Sequence, residues 1–194
     1  MINTFIGIDP GKTGGVAIIS PSGIKLIDCP VIEIKTKVKS KKPNLTLFDQ
    51  VADKGTVKSK AKPKTKITTK SSPALMASEL AQLATSNSII AIESVHSMPG
   101  QGVRSTFDFG MNFGIWLGVI AALNIPMELV TPQEWKKHYG LIGKDKDASR
   151  IIAVQLFPQV AMELKLKKYN GRAEALLLAE YLRRKAGGQD KVGV

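Results

Sequence analysis

Apolar positions along this chain fall into two rhythms. Nearly continuous apolar runs over 3–9, 14–20 and 24–33 predict three strands linked as hairpins. Helical spacing then appears over 74–86, with Leu75, Met76, Leu80 and Leu83 following a Ser72-Pro73 start signal. The β-branched run over 88–95 predicts a fourth strand, 106–123 a long helix and 126–130 a fifth strand. Thr131-Pro132-Gln133-Glu134 has the form of a capping box with proline in the first turn, so a short helix starts there. Helices over 146–157 and 171–186 complete the pattern, which has no internal repeat. Hairpin-linked strands followed by alternating helices and strands predict one α/β domain over 1–194, with a mixed five-stranded sheet and helices on both faces.

Against that pattern, two carboxylates are out of place. Asp9 stands near the end of the first apolar run, just before Pro10-Gly11, and Glu93 interrupts Ile89-Ile90-Ala91-Ile92. An acid inside a buried strand is costly unless a cation meets it, and Mg²⁺ takes hard oxygen ligands. Glu93 also falls at the C-terminal end of its strand, where open α/β sheets place their sites. A third acid, Glu174, follows Asn170 at i, i+4 in Tyr169-Asn170-Gly171-Arg172-Ala173-Glu174, so the two share one side of a first helical turn. Plainer readings stand beside these: Asp9 as a turn cap or part of a phosphate loop, Glu174 as a first-turn acid favoured by the helix dipole.

Composition narrows the class. With 194 residues, 43% of them hydrophobic, the chain can bury a sizeable core. No run is apolar enough to span a bilayer, and the first strand begins so early that no signal or transit peptide is expected. The single cysteine, Cys29, excludes a disulfide framework and reads as a small buried hydrophobe in a reducing cytosol. His96 and His138 are isolated and form no triad. A formal charge of +12 favours a polyanionic partner, nucleic acid first. Much of it lies in 35–72, which carries Lys35, Lys37, Lys39, Lys41 and Lys42, then a second lysine series from Lys54 to Lys70. That stretch reads as a mobile insertion or extended hairpin, with 45–51 apolar enough to dock locally. It is either a solvated loop or an arm that grips phosphates without reading sequence.

Five segments together resemble a known family. They are Ile6-Gly7-Ile8-Asp9-Pro10-Gly11; Ala91-Ile92-Glu93; Trp135-Lys136; Lys146 to Ser149 ahead of Leu156-Phe157-Pro158; and Gly171-Arg172-Ala173-Glu174-Ala175-Leu176-Leu177. In this order they resemble the RuvC-type Holliday-junction resolvases, nearest their phage and plant-organelle branch. The resemblance covers nearly all the chain except the lysine-rich insertion. It implies a ribonuclease H-like fold, a homodimer, and four acidic positions around two Mg²⁺ or Mn²⁺ ions. Those positions fall on Asp9, Glu93, Asn170 and Glu174. Asn170 departs from the branch, which has aspartate there: an amide oxygen can ligate a cation but brings no charge. Engineering or natural variation could each produce so nearly isosteric an exchange, and either would reduce cleavage.

The chemistry the resemblance implies is hydrolysis of a phosphodiester between two metals roughly 4 Å apart. Asp9 would bridge them, Glu93 would hold one, and Glu174 with position 170 the other. Paired nicks across a four-way DNA junction would leave 5′-phosphate and 3′-hydroxyl ends, in the cytoplasm of a prokaryotic or phage-infected cell. Gln101 and Phe107 would insert at the junction centre, in a basic loop that includes Arg104. Lys136, Lys144, Lys146 and Arg150 are candidates for phosphate contacts. Phe109, Phe113 and Trp116 share a helix face beside Gly110, Gly114 and Gly118, which reads as core packing; the resemblance makes this helix the dimer interface. Two alternatives remain: a branched-DNA-binding module that keeps the fold without cleaving, and an actin-like or sugar-kinase ATPase. The latter needs a duplicated domain and a second phosphate loop, for which the chain is too short.

Overall fold

Strand β1 (Thr4–Asp9) alternates its side chains between two buried faces, and that alternation organises the molecule. The computed structural model describes residues 1–37, 65–94, 96, 100 and 102–188. Ile6 and Ile8 point to one face, with Val16 and Ile18 of β2 (Gly15–Ser20) and Ile90 and Ile92 of β6 (Ser88–Glu93). There they pack on Met76 and Leu80 of α1 (Pro73–Leu83) and Trp116 and Ile120 of α2 (Val103–Ala122). Phe5, Ala17 and Ala91 point the other way, onto Trp135 of α3 (Pro132–His138), Ala153 of α4 (Lys146–Leu156) and Leu176 and Leu177 of α5 (Asn170–Ala186).

The sheet has the order β3-β2-β1-β6-β7, with β3 at Gly23–Asp28 and β7 at Met127–Val130. Pairing is antiparallel from β3 through β2 to β1 and parallel from β1 through β6 to β7. The expected α/β class, mixed five-stranded sheet and two helical layers are therefore present. Helix α5 lies so close to β1 that a Cβ on Gly7 would fall 1.9 Å from the Ala175 carbonyl oxygen. Only glycine fits there.

Some boundaries differ from the sequence expectation for identifiable reasons. The run over 24–33 is not one strand: β3 stops at Asp28, and Val31–Lys37 forms a separate strand, β4. Pro30 has no N–H for a ladder, and the Cys29 N–H is taken by the Gly14 carbonyl at 3.1 Å. Helix α1 ends at Leu83 because Ala84 turns extended and the Ser88 hydroxyl captures the Thr85 N–H at 2.8 Å. Two 3₁₀ segments, Pro158–Leu164 and Lys167–Tyr169, fill the stretch before α5 that carried no expectation.

Two compact units emerge, Met1–Val31 with Ser71–Val194, and Ile32–Lys70. In the second, β4 pairs with β5 (Thr65–Ser71) as a two-stranded sheet, and the Thr68 hydroxyl donates to the Ile34 carbonyl at 3.4 Å. The lysine-rich centre of the 35–72 insertion and its apolar 45–51 segment lie outside the described residues. Among the described residues, no helix is long and apolar enough to cross a membrane.

Candidate active site

Register brings the first two acids together. Ile8 pairs with Ile92 in parallel, so Asp9 and Glu93 follow side by side at the C-terminal ends of adjacent strands. By alternation both project toward the face that α5 covers. The segment after β1 turns back at Gly11, whose N–H donates to Asp9 Oδ1 at 3.0 Å. It then meets the start of α5 through a Gly14–Gly171 bridge. A Cβ on Gly171 would lie 2.3 Å from the Thr13 carbonyl oxygen and 2.5 Å from the Gly14 Cα, so this contact also requires glycine. One turn into α5 stands Glu174, which accepts from the Ser149 hydroxyl of α4 at 3.4 Å.

Each carboxyl is energetically uncomfortable as an anion. Asp9 is pushed up to about 7, first by burial and then by Glu174; the Gly11 N–H opposes this, Glu93 adds to it, and Lys136 opposes it. Burial also raises Glu93, against the Trp135 N–H and Lys136, and raises Glu174, against Lys136 and Ser149. Lys136 thus faces all three acids. It follows Trp135 on α3, and its ammonium lies 5.1 Å from the indole centroid. The indole N–H of Trp135 donates to Glu93 Oε1 at 3.0 Å within the core.

Asn170 opens α5 beside these groups. Its amide N–H donates to Asp147 Oδ1 at 3.5 Å, while its buried carbonyl oxygen has no partner. A cavity of about 340 Å³ is lined by Asp9, Asn170 and Glu174 together with Thr13, Lys146, Lys167 and Lys168. A second, of about 190 Å³, is lined by Glu174, Lys136, Lys144, Lys146 and Ser149.

This donor set suits a hard divalent cation: carboxylates whose mutual repulsion a cation would relieve, and an orphaned amide oxygen opening on the same cavity. Among the described residues, no three Asp, Glu, His or Cys side chains converge on one point. Mg²⁺ commonly takes one or two carboxylates and keeps water in the rest of its shell, and Asp9, Glu93, Glu174 and the Asn170 carbonyl oxygen are the groups that would hold such an ion here.

The other expected contact residues are dispersed. Arg104 and Phe107 are exposed on the first turns of α2, and Gln101 lies outside the described residues. Lys144 and Lys146 are exposed at the start of α4. The Arg150 guanidinium donates to the Leu164 and Lys165 carbonyls at 3.4 and 3.3 Å, holding the 3₁₀ segment. Phe113 and Trp116 pack in the core as the pattern indicated, Phe109 lies outside both core clusters, and Gly110, Gly114 and Gly118 have open space above them. His138 stacks edge-on against Tyr139 and Tyr181, and Cys29 is buried, its thiol pushed up to about 11 by burial. Sequence reasoning did not single out Thr13, Lys167, Lys168 or the Trp135 N–H. Only the Lys167-Lys168 pair beside Asn170 offered a signal.

Fold and site together define an α/β protein with a mixed five-stranded sheet and two acids, Asp9 and Glu93, at the C-terminal ends of its central strands. Two solved structures of RuvC from Thermus thermophilus share this fold, each covering 96% of this chain and 97% of theirs. One, in complex with a Holliday junction substrate, is 13% identical with a TM-score of 0.53; the other is 14% identical with a TM-score of 0.50. The chloroplastic Holliday junction resolvase MOC1 of Chlamydomonas reinhardtii is 36% identical over 85 residues, 43% of this chain. The chain spans about a tenth of that relative's length, since the match covers 10% of it. No family model matches the chain. The resemblance to RuvC-type resolvases therefore holds, in fold across nearly the whole chain and in sequence with the plant-organelle side.

Proposed function

We propose that this chain is a structure-selective endodeoxyribonuclease that resolves four-way DNA junctions by phosphodiester hydrolysis at Asp9, Glu93, Asn170 and Glu174. The observation that carries the reading is that Asp9 and Glu93 end adjacent strands β1 and β6 with Glu174 of α5 close enough to act on Asp9, which burial and these neighbours push up to about 7. These groups, with the Asn170 carbonyl oxygen, would hold divalent cations, Mg²⁺ or Mn²⁺, two per site. When bound, such cations acidify water and neutralise charge developing on a phosphate. The chain's own residues do the rest. Lys136 offsets the acids before substrate arrives and then offers its ammonium to a phosphate oxygen. Lys144, Lys146 and Lys168 hold flanking phosphates as point charges. Trp135 and Ser149 keep Glu93 and Glu174 oriented.

The products would be 5′-phosphate and 3′-hydroxyl ends. A homodimer joined along α2 would present two such sites to opposed strands, with Arg104, Phe107 and Gln101 near the junction centre. The lysine-rich insertion within 35–72 would grip DNA from outside the nuclease fold, in the cytoplasm of a prokaryotic or phage-infected cell. A second reading is favoured by one residue. The uncharged Asn170 weakens the set, so the chain as it stands could serve as a branched-DNA-binding module that nicks slowly or not at all.

One comparison separates these readings. A synthetic four-way junction is incubated with Mg²⁺ or Mn²⁺ and either this chain or Asn170→Asp, and binding is compared with linear duplex. The aspartate form is expected to nick faster by orders of magnitude, and both forms to prefer the junction. Equal rates would remove position 170 from the site. Junction preference without nicking by either form would leave the binding module.

A further inference from the structure

Glu93 is the one site acid that accepts a hydrogen bond from a fully buried ring. Trp135 is completely buried, and its N–H reaches Glu93 Oε1 at 3.0 Å. The ring has little freedom to move away. Helix α3 starts immediately after β7, whose Val130 pairs with Glu93, and its first turn is closed by a capping box between Thr131 and Glu134. One helical turn after Trp135, the Tyr139 hydroxyl donates to the Leu177 carbonyl of α5 at 3.2 Å, fastening the far end of α3. The indole is therefore clamped from both sides, and its donor holds one oxygen of the carboxylate in a dry setting where such bonds are strong.

We propose that Trp135 is a positioning residue: it reserves Oε1 of Glu93, so that the carboxylate presents Oε2 alone to a cation. This rests on the metal-site reading above. A carboxylate limited to one oxygen suits the compact octahedral shell of Mg²⁺ or Mn²⁺. It suits Ca²⁺ less, because Ca²⁺ readily takes both oxygens of a carboxylate in its larger shell. The indole thus tunes which ion the site prefers without touching it, as groups behind metal ligands commonly do.

The test measures Mn²⁺ and Ca²⁺ binding by calorimetry to the full chain, to Trp135→Phe, and to a chain with benzothienylalanine at position 135. The last keeps the shape of the indole and removes only its N–H, so it stays informative if phenylalanine leaves a disabling cavity. Both changes are expected to weaken Mn²⁺ about 10-fold or more, while Ca²⁺ binding weakens far less or tightens. The Mn²⁺/Ca²⁺ preference therefore collapses while the melting temperature of the benzothienyl form stays near that of the parent. Equal weakening of both ions would reduce Trp135 to a packing residue, and unchanged Mn²⁺ binding would remove it from the site; each overturns the inference alone. A parent chain that binds no Mn²⁺ overturns the metal-site reading and this inference with it.

Discussion

Asp9 lies one residue beyond the last β1–β6 pair, with Glu93 at its side and Glu174 above, and its carboxyl shows the strain of that company. Burial, then Glu174 and Glu93, push it up to about 7, against 3.8 when unshifted. Between those values the folded state keeps a proton that the unfolded chain has released. Stability from this group is therefore full below about pH 4, falls as the pH rises toward 7, and stays lost above. Asp9→Asn carries no such penalty. In EDTA, the asparagine form should melt several degrees higher than the parent at pH 8 and at the same temperature near pH 4, a difference of a few kcal/mol. Thermal melts across pH check this; parallel curves for the two proteins would mean that Asp9 is not held as a strained acid. At the same scale, Asp9 and Glu93 were legible as charges interrupting apolar strands. The Trp135–Glu93 bond was not, because it joins residues 42 apart whose meeting depends on β7 pairing with β6.

Helix α5 shows what a single element contributes. Ala173, Ala175 and Ala179 are fully buried, and small side chains let the helix press its backbone onto β1 and bring Glu174 over the strand ends. The same close fit recurs at Gly171, where a Cβ would meet the backbone of Thr13 and Gly14, which cannot swing aside. Gly171→Ala should cost about 1–3 kcal/mol through overpacking. It should also push Asn170 and Glu174 off the Asp9 loop, so Mn²⁺ affinity falls along with the melting temperature. Calorimetry beside thermal melts checks both, and a stable variant with undiminished Mn²⁺ binding would show that the bridge does not set the site. Helices read well from sequence because their caps are local: Ser72, Thr131 and Asp145 all cap as side chains should. The β4–β5 pairing was readable only as one of two alternatives for the insertion, an extended hairpin beside a mobile segment. Its strands are polar and lysine-rich, and pairing between distant segments leaves no periodic trace when neither face is buried in a core.

Across the whole molecule, charge and architecture are separable. The net charge is +12, yet much of the excess lysine lies in the insertion, apart from Asp9 and Glu93 at the strand ends. If that insertion holds phosphates, replacing 38–64 with a short linker should lower junction affinity and flatten its salt dependence. The slope would fall by about 0.9 for each phosphate that the shortened chain leaves unneutralised. Binding titrations over a range of salt concentrations check this; an unchanged slope would assign the segment to solvent.

The β4–β5 hairpin also divides the acids in chain order, with Asp9 before it and Glu93 and Glu174 after it. β1 is hydrogen-bonded to β2 from its own side of that division and to β6 from the other. A chain severed at the hairpin would thus become two complementary pieces, each short of a ligand the other carries. Their reunion along the β1–β6 seam is what would restore the set, and the hairpin is the natural place to build a split-protein switch.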